Sequence, residues 1–289
     1  GLVEDRASLI ARRAEVFRER QHITVHLHHE ATAIDTAART VTVRDLDTGA
    51  DQTLPYDDLL IATGAQQVPP PVAGLDTPGV SGVQTLPDGQ RILDALAARS
   101  PRRAVVVGGG YIGLEMAEAL QLRGLDVTLI DLADQPMTTL EPELGTRIAD
   151  AMRSMGIDLR LGTPLTGVEA GDDGWVRAVT TPDGPIDADL VVLGTGVRPR
   201  TDLAVAAGVP VGPSGGIVTD DRQATPVPGV WAAGDCAETS HRVSGARVSF
   251  ALGTVANKQG RIAGLNLGGS EGRFPGVLGT AVTKIHDLE

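Results

Sequence analysis

Cysteine is nearly absent from this chain, since Cys236 is the only one among 289 residues. A single cysteine excludes an internal disulfide and is typical of proteins in a reducing compartment. No apolar run approaches the roughly 20 residues that a membrane-spanning helix needs, and no signal peptide is visible. The composition therefore predicts a cytoplasmic protein without a membrane partner.

Positive charge is also scarce. The chain has 25 Lys and Arg against 37 Asp and Glu, which gives a net charge of −12. Such a charge argues against nucleic acid or an anionic membrane as a partner. Glycine is abundant, with 36 residues, and the hydrophobic share is 42%. These values fit an α/β protein with many close turns, and the length allows two ordinary domains.

The chain is organised around one stretch between Arg103 and Asp131. A short apolar run rich in β-branched residues predicts a buried parallel strand. Glycines with the G-x-G-x-x-G spacing come next, then a run of good helix formers, and then a second strand that ends in an acid. In chain order these are strand 104–107, Gly108, Gly110 and Gly113, helix 114–123, strand 126–130 and Asp131.

Each part of this stretch has a task in holding a dinucleotide. Gly108 permits the tight turn, Gly110 lets the backbone approach a pyrophosphate, and Gly113 lets the helix pack closely on the strand. The helix N-terminus attracts the phosphate charge. Asp131 can accept hydrogen bonds from a ribose diol and would repel a 2′-phosphate. No basic residue is present in 132–136, so NADH is predicted in preference to NADPH.

Two other predicted strands, one before this stretch and one after it, also end in glycine. Tyr56–Gly64 runs into Thr63 and Gly64, and Ala188–Gly196 repeats the pattern. Glycine at a strand exit lets the chain turn sharply beside a ligand. The recurrence predicts two nucleotide-binding units, with one inserted in the other.

A third strand, within Thr225–Asp235, presents Gly234 and Asp235 at its tip. A carboxylate there can accept hydrogen bonds from polyol hydroxyls. The helix predicted over Phe250–Asn266 has a start, at 251–254, whose free N–H groups can face a ligand. The remaining predicted elements are helices 4–20 and 142–155 and strands 22–27, 40–43, 157–161, 165–168, 175–180 and 274–284.

The histidines His26, His28 and His29 form the only histidine cluster in the sequence. No cysteine or carboxylate cluster accompanies them, and structural metal sites need three or four ligands. They therefore predict a solvated strand edge, and no metal site is expected.

Taken together, these motifs resemble the pyridine nucleotide–disulfide oxidoreductases, a family of flavoproteins that bind two dinucleotides. Within the family the chain is most similar to the branch of coenzyme A-disulfide reductases and NADH oxidases, over essentially its whole length. The motifs that carry the resemblance are Ala62–Gly64, Gly108–Ala117, Gly194–Gly196, Ala232–Glu238, Ala251–Gly260, Gly279–Lys284 and His29–Asp35.

The resemblance implies an enzyme that passes a hydride from NADH to FAD and then electrons to a disulfide such as coenzyme A disulfide, or to O2. It implies that Tyr111 lies over the flavin ring and that Glu115 faces the flavin pocket. It also implies a homodimer for the full-length protein. The FAD contacts implied are Ala62, Thr63, Gly64, Gly234, Asp235, Ala251, Leu252 and Thr254. The NADH contacts implied are Gly108, Gly110, Ile112, Gly113, Asp131 and Gly196.

The chain departs from the family in two places. No FAD-binding βαβ unit with its own glycine motif precedes Gly1, and the redox cysteine expected after that unit is absent. Cys236 follows Asp235, where the family often has a packing cysteine, and is not expected to replace the redox cysteine.

From these departures we expect a fragment with two nested Rossmann-like domains. The predicted boundaries are 1–98 and 217–274 for the FAD domain, 99–216 for the NAD(P) domain, and 275–289 for the start of a dimerisation domain.

Two alternatives remain open from the sequence. The same scaffold also serves ferredoxin or rubredoxin reductases and the flavin module of nitrite reductases, which need no upstream cysteine. A protein of another class, an NADH-binding sensor without turnover, would share the glycine turn. The presence of Tyr111 and Glu115 argues mildly against such a sensor.

Overall fold

The computed structural model describes residues 9–288. Within this range no helix is long and apolar enough to cross a membrane. The helices are α1 (Ala14–Gln21), α2 (Leu86–Arg99), α3 (Tyr111–Gln121), α4 (Pro142–Ser154), α5 (Asp202–Ala206) and α6 (Gly253–Leu267). The strands are β1 (His29–Asp35), β2 (Thr40–Asp45), β3 (Asp51–Pro55), β4 (Leu59–Ile61), β5 (Ala65–Gln67), β6 (Val80–Gly82), β7 (Arg103–Val107), β8 (Asp126–Ile130), β9 (Asp158–Arg160), β10 (Gly167–Ala170), β11 (Val176–Thr181), β12 (Gly184–Asp187), β13 (Leu190–Leu193), β14 (Val197–Pro199), β15 (Val230–Ala232), β16 (Thr239–Ser240) and β17 (Arg247–Val248).

The described chain divides into two compact units. Unit 1 comprises 67–196 and 281–288, and unit 2 comprises 9–66 and 197–280. The division does not coincide with the predicted boundaries at 98/99 and 216/217. The reason is that β6, well before residue 99, pairs with β13 in the main sheet of unit 1. The assignment of the domains to FAD, NAD(P) and dimerisation stays a prediction.

Unit 1 is built on a five-stranded parallel sheet in the order β6-β13-β7-β8-β9. The central strands are apolar along most of their length because helices cover the sheet, as in doubly wound α/β folds. In β7, for example, Val105 and Val106 are fully buried. The partners Leu193↔Val107 and Val107↔Ile130 align the carboxyl ends of β13, β7 and β8. The loops that leave these three strands therefore lie at one edge of the sheet.

Unit 2 contains the antiparallel sheet β1-β2-β3 and the parallel pair β4 and β15. Its core gathers Ile61, Ile217, Val230 and Cys236, all at most 4% exposed. Helix α6 belongs to the same unit, and its Ala263 is fully buried.

Most predicted elements of unit 1 are confirmed. The strands predicted at 104–107 and 126–130 are β7 and β8, and the helix predicted at 142–155 is α4, with Pro142 in its first turn. The hairpin predicted from 165–168 and 175–180 forms as β10 and β11.

Two predicted strands are wrong. Residues 22–27 form no strand: α1 ends at Gln21, its C-cap residue His22 adopts the left-handed conformation, and strand pairing begins only at His29. Residues 274–284 form no strand either, since only an isolated bridge joins Val277 to His241. The helix predicted from residue 4 begins at Ala14, although residues 1–8 lie outside the described range.

Candidate functional site

In unit 1 the glycine turn between β7 and α3 depends on three glycines that pack closely against one another. Gly108, at φ +106°, adopts a conformation that favours glycine, and a Cβ there would lie 2.5 Å from the carbonyl oxygen of Gly194. A Cβ on Gly113 would overlap the carbonyl oxygen of Gly108. A Cβ on Gly194 would lie 2.9 Å from the Cα of Gly113. The close approach of β7, β13 and α3 therefore depends on the absence of side chains at these positions.

Gly110, in contrast, is open. It is the N-cap residue of α3 at φ −81°, and no atom lies within 4 Å of where a Cβ would be. In the described chain no side chain caps this helix, so its first N–H groups remain available to an anion. Ile112 lies half-buried in the first turn. This is the geometry expected where a backbone closely approaches a pyrophosphate.

Asp131 lies directly beside the glycine turn. Its carboxylate accepts hydrogen bonds from the N–H of Gly109 and, at 2.7 Å, from the N–H of Ala133. A carboxylate has about four lone-pair sites, so capacity remains for a ribose diol. Asp131 thus shapes the turn as well as offering a ligand contact.

Gly196 follows β13 at the same edge of the sheet. Its φ is +83°, and its carbonyl oxygen accepts a hydrogen bond of 3.1 Å from the N–H of Val68. The Thr195 hydroxyl donates to the carbonyl oxygen of Val68 at 2.6 Å. These bonds fix the exit of β13 beside the glycine turn.

The two residues predicted to be catalytic lie on α3. Tyr111 is 36% exposed and borders a cavity of about 440 Å³ within unit 1, with Leu140 and Ile148 on its wall. Glu115, one turn further along, accepts a hydrogen bond from the Thr283 hydroxyl at 3.2 Å. Residues 281–288 complete the wall of this cavity.

In unit 2 two predicted motifs meet at one edge. Strands β4 and β15 are parallel neighbours with Ile61 opposite Ala232, so Ala62–Gly64 and Gly234–Asp235 emerge side by side. The Thr63 hydroxyl donates to the carbonyl oxygen of Arg200 at 2.5 Å. Gly64 and Gly234 both have positive φ, at +69° and +84°. Unit 2 therefore resembles unit 1 in one respect: glycine-containing loops leave neighbouring parallel strands at the same edge of the sheet.

Asp235 carries the clearest sign of a missing polar partner. Its Oδ1 is buried and has no hydrogen-bond partner within the described residues, and burial raises the pKa of the carboxyl above 3.8. Nearby, the Gln259 side-chain oxygen accepts a bond of 2.8 Å from the N–H of Gly234, while its Nε2 is also unpartnered there. Unpaired buried polar atoms are costly, which indicates that a bound polar molecule completes this site.

The start of α6 belongs to the same unit. Leu252 is its N-cap residue and Thr254 lies in its first turn, and no side chain in the described range caps it. Ala251 precedes it and is exposed. The helix begins at Gly253, three residues later than predicted. Its first N–H groups can therefore stabilise negative charge on a ligand.

The raised pKa of Asp235 leads to a testable pH dependence. A carboxyl whose pKa is higher in the folded chain contributes stability below its unfolded pKa and loses it as the pH rises through the folded pKa. In the flavin-free chain at pH 7, Asp235→Asn should therefore raise the melting temperature. The gain should shrink as the pH falls through the raised pKa of Asp235, because the parent carboxyl then becomes protonated and uncharged as well.

Differential scanning calorimetry of both proteins across about pH 3.5–7.5, which begins below the usual pKa of an aspartate and ends well above it, measures the effect. Asp57→Asn, at an exposed acid in the same unit, is the matched control and should change little. A gain that is equal at every pH, or a loss at pH 7, would contradict a desolvated carboxyl at position 235.

Cys236 is fully buried, and its thiol lies 3.5 Å from the carbonyl oxygen of Ile61. This is consistent with the packing role expected for it. Among residues 9–288 no group of three His, Cys, Asp or Glu side chains is placed to hold a metal ion. His28 contacts Asp47 at 3.1 Å, and His29 contacts the carbonyl oxygen of Leu27.

Sequence reasoning missed the structural roles of Gly194 and Gln259. Gly194 appeared only as part of a strand exit, although it closes the glycine turn of unit 1. Its place directly after an all-apolar strand was the available signal. Gln259 gave no signal, because nothing in a helical sequence shows that a glutamine reaches the backbone of a distant turn.

The fold and these edges define a nucleotide-binding α/β protein with Rossmann-type parallel strands. The sequence model of the pyridine nucleotide-disulphide oxidoreductases matches residues 2–260, and the chain belongs to that family. Membership implies FAD and NAD(P)H as cofactors.

Several relatives make the comparison more specific. The chain is 37% identical over 276 residues to an NAD(P)H sulfur oxidoreductase (CoA-dependent) of Pyrococcus furiosus, which covers 95% of this chain and 61% of the relative. A NAD-dependent persulfide reductase from A. fulgidus superposes with a TM-score of 0.94 at 34% identity, covering 99% of this chain and 53% of that one. A water-forming NADH oxidase from Lactobacillus brevis, solved with bound NADH, gives 0.92 at 30% identity, covering 99% and 62%. The chain thus spans about three fifths of the curated relative that it matches.

Proposed function

We propose that this chain is the central part of an FAD-dependent oxidoreductase that uses NADH as its electron donor. The acceptor is a small-molecule disulfide such as coenzyme A disulfide, or O2. The observation that carries the proposal is the pairing of Asp131 with an open, uncapped glycine turn in the described part of unit 1. The names of the relatives, which include sulfur and persulfide reductases and an NADH oxidase, support the acceptor class.

On the donor side, the residues of unit 1 bind and orient the nucleotide. Gly110 leaves room for the pyrophosphate, and the N–H groups of α3 offset its charge. Asp131 accepts from the ribose hydroxyls and would repel the 2′-phosphate of NADPH. Because Leu132 to Pro136 include no basic residue, we propose NADH as the preferred donor.

On the flavin side, unit 2 offers polar atoms that fit FAD. The Oδ1 of Asp235, unpartnered among residues 9–288, can accept a hydrogen bond from a ribityl hydroxyl, and the start of α6 can face the pyrimidine edge of the ring. A cavity of about 750 Å³ beside Thr63, lined also by Glu30 and Arg200, can receive another part of the cofactor. When bound, FAD supplies a two-electron acceptor for the NADH hydride and a donor to the disulfide or to O2.

The roles of Tyr111 over the flavin ring and of Glu115 in its pocket are part of this proposal. So are the homodimer of the full-length protein and its cytoplasmic location, which rests on the single cysteine. Ferredoxin, rubredoxin or nitrite as the acceptor, and a sensor without turnover, gain no specific support from the geometry.

The proposal is tested by titrating the purified 289-residue chain with NADH, NADPH and FAD in a calorimeter. We expect NADH to bind more tightly than FAD, because the FAD-binding βαβ unit expected in the family is not part of this sequence. NADPH should bind at least roughly tenfold more weakly than NADH, which corresponds to about 1.4 kcal/mol of charge repulsion.

Gly110→Ala provides the matched variant, since its Cβ meets no protein atom in the described chain and should obstruct only the pyrophosphate. This variant should lose NADH affinity while its melting temperature changes little. A chain that purifies with stoichiometric flavin, or that binds NADH and NADPH equally, would contradict the proposal.

A further inference from the structure

Gln259 is a buried side chain that the implied FAD contacts do not include. It lies on α6, is 1% exposed, and its Oε1 accepts a hydrogen bond of 2.8 Å from the N–H of Gly234. A Cβ on Gly234 would lie 3.6 Å from the Cβ of Ala256, which precedes Gln259 by three residues and shares its helix face. The turn that presents Asp235 therefore packs on this face of α6.

The nitrogen of the Gln259 side chain has no partner. Because Gly234 supplies an N–H, the amide must present its oxygen to the turn, and its NH2 group is left for another bond. Within residues 9–288 the Nε2 atom is buried and makes no hydrogen bond. Buried donors of this kind are rare and costly in folded proteins. The missing acceptor is therefore expected on a molecule that binds here.

A second buried amide on α6 has a complete set of bonds. Asn266 is 8% exposed, and its Nδ2 donates to the carbonyl oxygens of Arg222 and Gly272, each at 2.9 Å. Its Oδ1 accepts a hydrogen bond of 3.0 Å from the N–H of Gly272. The backbone of unit 2 thus satisfies both ends of one buried amide of this helix, whereas it satisfies only the oxygen of Gln259.

The unpartnered donor belongs to the same corner of unit 2 as an unpartnered acceptor. Gln259 is bonded to Gly234, and the next residue, Asp235, has a buried Oδ1 atom that lacks a partner in the described range. The two atoms do not bond to each other. An amide NH2 only donates and an ionised carboxylate only accepts, so a group that bonds to both must accept from one and donate to the other.

A hydroxyl group has this chemistry. Its O–H can donate to Asp235 while its oxygen accepts from Gln259. A phosphate would be repelled by the carboxylate, and an ammonium group has no lone pair with which to accept from the amide. The corner therefore suits a polyol, and the ribityl chain is the polyol of the flavin.

We infer that Gln259 Nε2 and Asp235 Oδ1 together hold one hydroxyl of the ribityl chain. Gln259 is then a cofactor-binding residue and not only a support for the turn at Gly234. The inference rests on the proposed function, to which it adds a donor beside the acceptor at Asp235.

Riboflavin and lumiflavin are the probes that test it. Both carry the flavin ring, but in lumiflavin a methyl group replaces the ribityl chain, and neither carries the ADP half of FAD. In fluorescence titrations of the full chain we expect riboflavin to bind at least about tenfold more tightly, because only riboflavin can bond to Asp235 and Gln259. Excess FAD should displace it.

Two substitutions of Gln259 isolate the role of the donor. Gln259→Glu keeps an acceptor for the N–H of Gly234 but adds a charge, whereas Gln259→Met adds no charge but loses that bond. Only the loss of the donor is common to both, so each should lower riboflavin affinity at least about fivefold and leave lumiflavin affinity nearly unchanged. Asn257→Asp, the same amide-to-acid change at an exposed position of α6, is the matched control and should change neither.

Thermal melting shows whether each variant folds, and Gln259→Met with its lumiflavin comparison decides if Gln259→Glu does not. Riboflavin affinity that is the same in Gln259→Glu and in the parent would restrict Gln259 to supporting the turn and would overturn the inference. Equal affinity of the parent for riboflavin and lumiflavin would overturn it too, since an ordered water would then satisfy both atoms.

Failure of the proposed function gives a different result. If the parent chain binds neither probe and no FAD, the flavin side of the proposed function fails and the inference fails with it. If the parent prefers riboflavin and the Gln259 variants keep that preference, the flavin site stands and only the inference about Gln259 fails.

Discussion

Replacing Gly113 with alanine should lower the free energy of unfolding of unit 1 by about 3 kcal/mol, which is the upper end of the usual cost of overpacking a tightly packed site. The reason is geometric: a Cβ at this position would overlap the carbonyl oxygen of Gly108, and the nearby Gly194 leaves no room for α3 to move aside. A rigid backbone group cannot rotate away as a flexible side chain can. Denaturant unfolding followed by circular dichroism measures the loss.

Gly110→Ala is the control for this prediction, because the same change three residues earlier meets open space. It should cost less than about 1 kcal/mol, mainly through the poorer N-cap that alanine makes. If Gly113→Ala were as stable as Gly110→Ala, the interlocked contact between β7, β13 and α3 would not be present in solution.

The second large effect is expected at Asp131. Asp131→Ala should weaken NADH binding by between about tenfold and 150-fold, because hydrogen bonds to a charged group contribute about 1.5–3 kcal/mol. The same change removes the acceptor for the N–H of Gly109, so the melting temperature should fall slightly as well. Calorimetric titration with NADH, performed well below the melting temperature, measures the affinity of the folded protein.

Two variants separate the loss of a contact with NADH from a disturbance of the turn. Asp134→Ala removes an exposed acid from the same loop and should leave NADH affinity unchanged. Asp131→Asn keeps the size of the side chain and one acceptor oxygen but removes the charge. This variant should therefore bind NADH more weakly, and its preference for NADH over NADPH should be smaller. Unchanged NADH affinity in Asp131→Ala would show that this residue only shapes the turn.

The glycine edge of unit 1 could be predicted because every part of it is local in the chain. Strand, turn, helix, strand and acid succeed one another between residues 103 and 131, and each has a characteristic residue pattern. The edge of unit 2 was predictable only as separate motifs. Nothing local shows that Ile61 lies opposite Ala232, although this pairing brings Thr63 and Asp235 together.

The terminal segments were predicted least well. The alternation at 22–27 indicates a strand, but within the described chain these residues pair with no neighbouring strand, and a strand needs a partner for its hydrogen bonds. The pattern at 274–284 also indicates a strand. Instead the N–H of His286, just beyond it, donates to Glu118 at 3.0 Å, and Ile285 is buried in the core of unit 1.

The sequence by itself determined the class of fold, the family and the residues of the nucleotide edges, because periodicity and glycine spacing are local properties of the chain. Only the tertiary structure decided that Gly194 closes the glycine turn and that Gln259 holds the turn at Gly234. Those relations join residues far apart in the chain, and contacts of that kind exist only once the strands have paired and the helices have packed.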